Sequence, residues 1–143
     1  MTKRGEYKSE TRGRQLIRFD GCQIPGTNIT PTDIDAIIEC HDKMWFLVEV
    51  KLEGVQVNDG QDFLIRRFIA DMQKAGKPSL GIIAEHDIND SSKDIYLKDC
   101  RIRELYYYDN VREKVITNYS PYKDINSCID AFRRHIGCGG EFL

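Results

Sequence analysis

The sequence predicts an α/β fold in which a mixed central β-sheet is flanked by helices. Two strand-like segments, Asp33 to Cys40 and Met44 to Leu52, are separated by three polar residues, which predicts a hairpin. An amphipathic helix over Gly60 to Ala75 follows, and then a short apolar run from Ser79 to Ala84. Strand, helix and strand in this order predict a crossover connection and therefore a parallel pair.

The segment before the hairpin is predicted to hold three small elements. Glu10 to Arg14 is a candidate short helix, weakened by Gly13. Leu16 to Ile24 has the pattern of a strand, and residues 25–28 (Pro-Gly-Thr-Asn) are a turn signal.

The boundaries of the long helix have recognisable signals. Asp59 is the candidate N-cap, and Gly76 followed by Pro78 is a stop signal. The apolar residues at helical spacing, from which we expect the buried face, are Phe63, Leu64, Phe68, Ile69 and Met72.

The last third of the chain predicts a second hairpin and a final helix. Ile102 to Tyr108 and Val111 to Tyr119 are strand-like on either side of Asp109-Asn110. Asp124 to Ile136 is helical, with Gly137 where a C-cap belongs. The predicted order is β, β, β, α, β, β, β, α within a single domain spanning residues 1–143.

Length, charge and cysteine content limit the class of protein. The chain has 143 residues, the size of one ordinary domain, and a net charge of -2, which argues against tight non-specific binding to duplex DNA. It has neither an apolar N-terminal run nor a stretch long enough to span a membrane. The five cysteines form no CxxC pair and are expected to be reduced thiols. These features predict a cytoplasmic protein without a membrane partner.

The residues that suggest chemistry lie in the first predicted hairpin. Glu49 and Lys51 are two positions apart on one strand, so their side chains leave the same face of the sheet. Asp33 and Asp35 share a face of the neighbouring strand. If the strands pair through the turn at residues 41–43, Asp35 lies near Glu49.

This grouping suits the hydrolysis of a phosphodiester bond. Mg²⁺ prefers oxygen ligands, and Asp35 and Glu49 would supply two, with the carbonyl of Val50 as a further candidate. Such an ion neutralises the scissile phosphate and activates a water molecule. The Lys51 ammonium would stabilise the negative charge that grows in the transition state. The alternative is that Glu49 and Lys51 form a surface ion pair with no chemical role.

The same residues resemble a known signature. Asp35, 13 intervening residues, and then Glu49-Val50-Lys51 resemble the motif of the PD-(D/E)xK nucleases, which include restriction endonucleases, RecB-type nuclease domains and archaeal Holliday-junction resolvases. The resemblance covers roughly residues 31–84. It implies a restriction-endonuclease-like fold and a nuclease that uses Mg²⁺ (or Mn²⁺) to hydrolyse DNA.

The chain also departs from the pattern of that family. Pro31 and the aspartate are not adjacent, and both Asp33 and Asp35 are candidate ligands. The resemblance favours Asp35, since it directly precedes the apolar run. Many members carry a glutamate on their first helix, for which Glu10 is the first candidate and Glu6 the second.

The resemblance further implies a supporting role for Gln61, because RecB-type members often carry a glutamine at the start of the helix after the motif. Candidate contacts to substrate are Arg14, within a basic N-terminal segment, and Arg66 and Arg67 on the long helix. The three tyrosines at 106–108 would alternate between the two faces of a strand, so that at least one belongs to the core.

The motif leaves several alternatives open. One is a non-catalytic nucleic-acid-binding or interaction module that keeps the nuclease fold, and another is a nuclease that acts on RNA. The sequence does not distinguish endonuclease from exonuclease activity, or branched from linear substrates. It gives no oligomeric state, and a homo-oligomer is among the options. The small size and the lack of a separate recognition domain suggest a phage or mobile-element protein, or a subunit of something larger.

Overall fold

The computed structural model describes residues 18–138 and residue 142. The backbone divides into two compact units, with the boundary between Pro31 and Thr32. Within the described part of the chain, no helix is long and apolar enough to cross a membrane.

The first unit, where it is described, consists of turns and extended segments. A turn is present at residues 25–28 as predicted, with Gly26 in the left-handed region at φ 77°. The strand predicted over Leu16 to Ile24 is wrong for its described part, residues 18–24, which form no strand. Phe19 is 43% exposed there, so the apolar side chains that suggested a strand lack the buried face that stabilises one.

The second unit contains a five-stranded mixed sheet, which confirms the α/β class. The elements are strands β1 (Ala36–Cys40), β2 (Met44–Leu52), β3 (Ser79–His86), β4 (Arg101–Asp109) and β5 (Lys114–Tyr119), helices α1 (Asp59–Lys74) and α2 (Ile125–Cys138), and a 3₁₀ turn at Leu97–Asp99. In the sheet the strands lie in the order β1-β2-β3-β4-β5; β2 and β3 are parallel, and the other neighbours are antiparallel.

The first hairpin forms as predicted, through a tight turn. His41 and Asp42 both have left-handed φ values, 51° and 59°, and the Lys43 amide donates to the Cys40 carbonyl at 2.9 Å. Two consecutive left-handed residues are typical of the type I′ turn, whose twist matches that of the paired strands. Strand β1 is shorter than predicted, because residues 33–35 lie outside it.

Helix α1 has the predicted extent to within a residue, but its cap and its buried face differ from prediction. The N-cap is Asn58, whose side chain accepts from the Gln61 amide at 2.8 Å; Asp59 is already helical. The helix ends before Gly76, at φ 76°, as predicted. The buried residues are Gln61, Ile65 and Ile69, whereas Phe63 is 55% exposed. Of the five predicted apolar residues, Ile69 is buried as expected. Gln61 was missed, because a polar residue is not expected on a buried helix face.

Helix α1 connects β2 to β3 as a crossover and packs closely on one face of the sheet. The parallel pairing of β2 and β3 confirms the predicted β-α-β unit. A Cβ atom placed on Gly81 of β3 would lie 2.6 Å from Cγ2 of Ile65 and 3.0 Å from Cβ of Tyr106. Only glycine fits this position without displacing the helix or the neighbouring strand.

Helix α2 covers the opposite face of the sheet. Its buried residues Ile125, Cys128 and Phe132 join a core cluster with Phe46 and Val48 of β2. The rings of Phe46 and Phe132 meet edge to face at 5.7 Å between centroids. The helix does not end at Ile136 before a Gly137 cap, as predicted, but continues through Gly137 to Cys138.

The hairpin of β4 and β5 is present, with a longer turn than predicted. The Asp109 carboxylate accepts from the amides of Val111 and Arg112, at 2.8 and 3.2 Å, and Glu113 is left-handed at φ 56°. These contacts bend the chain through the turn, so strand β5 begins at Lys114 instead of Val111.

Candidate active site

Glu49 and Lys51 leave β2 on the face covered by α1. The alternate residues Phe46, Val48 and Val50 belong to the core on the α2 side, which leaves the odd-numbered positions for the other face. Glu49 is 4% exposed, and the exposed fraction of the Lys51 side chain is 15%. Lys51 Nζ lies 3.2 Å from Glu49 Oε1. The pair is thus a buried one, not the surface ion pair that was the alternative.

Asp35 lies immediately before β1, at the position that continues the hairpin register opposite Glu49. Ala36 pairs with Val48, so the next step of the antiparallel ladder brings Asp35 to Glu49. The Asp35 Oδ2 atom accepts from the Val50 amide at 2.7 Å, which holds the carboxylate against β2. Asp35 is exposed while Glu49 is buried, so the two carboxylates line a site that opens to solvent at one side.

The surroundings of Glu49 disfavour the negatively charged form of its carboxyl group. Burial raises the pKa of its carboxyl group above the ordinary value of 4.5, and the negative charge of Asp35 raises it further. The Lys51 ammonium and the Gln61 side chain oppose this rise without cancelling it. A further positive charge at the site would favour the charged form.

Gln61 lies in the first turn of α1 and points into the same site. It is 2% exposed, and its Nε2 atom donates to the Asp33 carbonyl at 3.3 Å. Two buried acceptor oxygens have no hydrogen-bond partner among the described residues: Oε1 of Gln61 and Oε2 of Glu49. An unsatisfied buried polar atom costs about 1–3 kcal/mol. A cation or a hydrogen-bond donor bound at these atoms would satisfy them.

The donor set fits Mg²⁺ better than a softer metal. Asp35, Glu49 and the Val50 carbonyl offer only oxygen atoms, which hard cations prefer, and Mg²⁺ in proteins is commonly held by one or two carboxylates with water completing its shell. Within residues 18–138 and 142, no group of three or more His, Cys, Asp or Glu side chains is arranged to hold a metal ion. The site therefore offers two carboxylates and leaves the remaining positions to water or substrate.

An anion that the sequence analysis did not single out lies one strand away from Lys51. Glu85 of β3 is in register with Lys51 and accepts from Arg101 Nε at 2.5 Å and from Arg103 Nε at 2.7 Å. Burial alone would raise the pKa of Glu85, but the two guanidinium groups outweigh burial and hold the pKa below its ordinary value. Glu85 is consequently charged at neutral pH and already paired.

Arg103 forms hydrogen bonds to the end of β2, the strand that carries Lys51, and to the loop that follows it. Its Nη1 and Nη2 atoms donate to the carbonyls of Val55 and Leu52, at 2.6 and 3.4 Å. These partners lie 48 and 51 positions earlier in the chain. Contacts between residues so far apart produce no periodic pattern in the sequence, and Arg103 was missed for this reason. The two arginines of β4, Arg101 and Arg103, were the one sequence feature that could have pointed to it.

The arginines predicted to bind substrate differ in their surroundings. Arg66 forms an ion pair with Asp62 at 3.0 Å and lies over the Tyr106 ring, 5.2 Å from its centroid. Tyr106 is 2% exposed and donates to Asp62 at 2.7 Å, so it belongs to the core. Arg67 is exposed, 5.5 Å from the centroid of the Phe63 ring. Contact of Arg66 or Arg67 with substrate stays a prediction.

Three of the predicted residues lie outside the described part of the chain: Glu6, Glu10 and Arg14, together with the short helix predicted around the last two. Of the two candidate aspartates, Asp35 holds its carboxylate on β2, while Asp33 contributes its carbonyl to Gln61.

Comparisons with models of known protein families, with curated proteins and with solved structures found no match to this chain.

Proposed function

We propose that this protein is a Mg²⁺-dependent nuclease of the PD-(D/E)xK, restriction-endonuclease-like kind, which hydrolyses phosphodiester bonds in DNA. The observation that carries the proposal is the Glu49 carboxylate. It is buried beside Asp35 and Lys51, its Oε2 atom has no hydrogen-bond partner among the described residues, and its pKa is raised. A chain selected only for stability gains nothing from such a group, whereas perturbed carboxylates of this kind are typical of catalytic sites.

The residues have separable roles in this proposal. Asp35, Glu49 and the Val50 carbonyl would hold the ion, and Gln61 would orient Glu49. When bound, Mg²⁺ supplies positive charge at the scissile phosphate and lowers the pKa of water. Lys51 would stabilise the extra negative charge of the transition state through its ammonium group.

The decisive experiment is a cleavage panel. The protein is incubated with single-stranded, duplex and branched DNA and with RNA, each with and without Mg²⁺ or Mn²⁺. We expect cleavage of DNA only with the metal, and none by the Glu49→Gln variant. Lys77→Ala is the matched control, because Lys77 also forms an ion pair, with Asp42 at 2.5 Å, but lies outside the site. That variant should cleave normally.

Three other outcomes would change the conclusion. Metal-dependent cleavage of RNA alone would reassign the substrate. Clear metal binding without cleavage of any substrate would favour a nucleic-acid-binding module that keeps the nuclease fold. Cleavage that survives Glu49→Gln would remove this site from the reaction.

A further inference from the structure

A cavity of about 290 Å³ lies where β3 ends, and none of Asp35, Glu49, Lys51 or Gln61 lines it. Its wall includes Glu85, which is in register with Lys51 on the neighbouring strand. Paired strands are about 4.8 Å apart, so one step across the sheet separates the wall of the cavity from the proposed catalytic lysine. The cavity is therefore linked to the candidate active site through the register of Glu85 with Lys51.

The walls of the cavity are held in place by hydrogen bonds. The Nδ1 atom of His86 accepts from the Ile88 amide at 3.1 Å, which fixes the chain as it leaves β3. On the other side, the Asp99 amide donates to the Tyr96 carbonyl at 2.9 Å and closes the 3₁₀ turn. The cavity is therefore formed before any ligand arrives.

The lining suits a flat, neutral group that carries hydrogen-bond donors. Tyr96 is 59% exposed and Ile95 is 44% exposed, so an aromatic ring and an aliphatic surface are both available for stacking. Asp87 and Asp99 add exposed acceptor oxygens. Apart from a histidine, Arg101 is the one cationic side chain among the described lining residues, and Glu53 and Glu85 already pair with it. A phosphate would meet uncompensated negative charge here.

We infer that this cavity binds one unpaired nucleobase of the nucleic acid, stacked on Tyr96 and donating its amino or imino hydrogens to the aspartates. The inference rests on the proposed function. A base inside a duplex is stacked and paired and does not reach such a cavity without being displaced from the helix. The preferred substrate class is thus nucleic acid with an unpaired nucleotide beside the scissile phosphate, such as an overhang, a flap or a single strand.

The test measures binding without cleavage. Fluorescence anisotropy compares the affinity of the full-length Lys51→Ala variant, in Mg²⁺, for a blunt DNA duplex and for the same duplex with a short single-stranded overhang. We expect the overhang to bind on the order of tenfold more tightly, the scale of one base stacked on an aromatic ring. Adding Tyr96→Ala should remove this preference, and adding Tyr119→Ala should not, because Tyr119 is 87% exposed on β5 and does not line the cavity.

Equal affinity for the two duplexes, no binding of either, or a preference that survives Tyr96→Ala would each overturn the inference. These outcomes are distinct from a failure of the proposed function, which would appear as absence of metal-dependent cleavage by the wild-type protein. Circular dichroism of the Tyr96→Ala variant verifies that it is folded, as expected for an exposed side chain.

Discussion

At the scale of single residues, the buried pair of Lys51 and Glu49 has a desolvation cost that stability alone does not explain. Their side chains are 15% and 6% exposed, and removing two charges from water costs several kcal/mol per ion unless close contacts offset the loss. One contact of 3.2 Å joins them, and within the part of the chain that the structure describes, one oxygen of the Glu49 carboxylate has no donor. Apolar residues of similar size would be more stable here. The charges are explained if they act on an anionic substrate.

The first prediction concerns Lys51. Lys51→Ala should leave metal binding largely intact and lower turnover by about a hundredfold or more, the scale of losing one group that stabilises a transition state. Lys51→Arg should also be impaired, because a planar guanidinium does not place its charge where a compact ammonium does. Single-turnover cleavage kinetics and calorimetry with Mn²⁺ measure the two effects. Full activity of Lys51→Ala would remove the lysine from the mechanism.

The second prediction concerns the choice between the two aspartates. Asp35→Ala should abolish Mn²⁺ binding, because Asp35 presents its carboxylate beside Glu49, whereas Asp33 contributes its carbonyl to Gln61. Asp33→Ala keeps that carbonyl and should bind the ion nearly as well. Calorimetry on both variants makes the comparison, and the reverse result would assign the ligand role to Asp33.

The central residues of the site were predictable because their arrangement follows from two local rules. Side chains alternate along a strand, and a tight hairpin sets the register of its partner, so Asp35, Glu49 and Lys51 could be brought together from spacing alone. Glu85 and Arg103 could not, because their partners are distant in the chain and ion pairs across a sheet follow no periodicity.

At the scale of elements, the position of α1 over the site depends on its close approach to β3 at Gly81. The third prediction is that Gly81→Ala destabilises the fold by about 1–3 kcal/mol, the usual cost of overpacking. The added Cβ atom would lie 2.6 Å from Cγ2 of Ile65 on α1.

Gly137→Ala is the control: a Cβ atom there meets no atom of the described residues within 4 Å, and alanine in a helix should stabilise by roughly 0.5–1 kcal/mol. Urea denaturation measures both, and equal stabilities would contradict the packing described here.

The fourth prediction concerns Glu85, which joins β3 to β4 through two arginines. Its pKa is lowered in the folded protein, so its contribution to stability is complete above the ordinary value of 4.5 and is lost as the pH falls through the folded pKa. Glu85→Gln should cost about 2 kcal/mol at pH 7, the scale of charge-assisted hydrogen bonds. The cost should shrink as the pH falls below the ordinary carboxyl pKa.

Urea denaturation of wild type and Glu85→Gln at several pH values tests this. Asp130→Asn is the matched control, since Asp130 pairs with Arg134 on the surface of α2 with both side chains more than half exposed, and its loss should change stability by less than about 1 kcal/mol. A difference for Glu85→Gln that does not depend on pH would show that the lost contribution is packing and not charge.

Element type was more predictable than the side chains that elements bury. The hairpins, the crossover and the α1 stop at Gly76 follow from turn residues and periodicity. The buried face of α1 was predicted only in part: Ile69 is buried as expected, but Phe63 is exposed, and the first buried position is held by Gln61, which faces the carboxylate site. The strand predicted over Leu16 to Ile24 is wrong in its described part, residues 18–24, because an apolar pattern alone does not supply a partner strand.

At the scale of the whole molecule, a chain with a net charge of -2 has little general attraction for nucleic acid, so the proposed function requires local features that attract it. The proposed ion is one such feature, because its positive charge would shift the local net charge, where the site of Asp35 and Glu49 opens to solvent, from negative towards neutral or positive. Binding of that ion and stability of the fold are then linked, because the carboxylates that hold it are assembled only in the folded hairpin.

The fifth prediction follows from this linkage. A ligand that binds only the folded state stabilises it by about 2.7 kcal/mol at a hundredfold excess over its dissociation constant, which for a protein of this size raises the melting temperature by roughly 10 °C. Mn²⁺ should produce such a rise in the wild-type protein at neutral pH. It should produce none in Glu49→Gln, which keeps the volume of the side chain and loses the charged ligand. Glu85→Gln should melt at a lower temperature yet retain the full rise, because Glu85 is paired with arginines and is not a ligand.

Thermal unfolding, followed by circular dichroism with increasing Mn²⁺, measures the melting temperature of all three proteins. An equal rise in wild type and Glu49→Gln would place the ion elsewhere in the molecule, and no rise in the wild type would mean that the folded protein does not bind it.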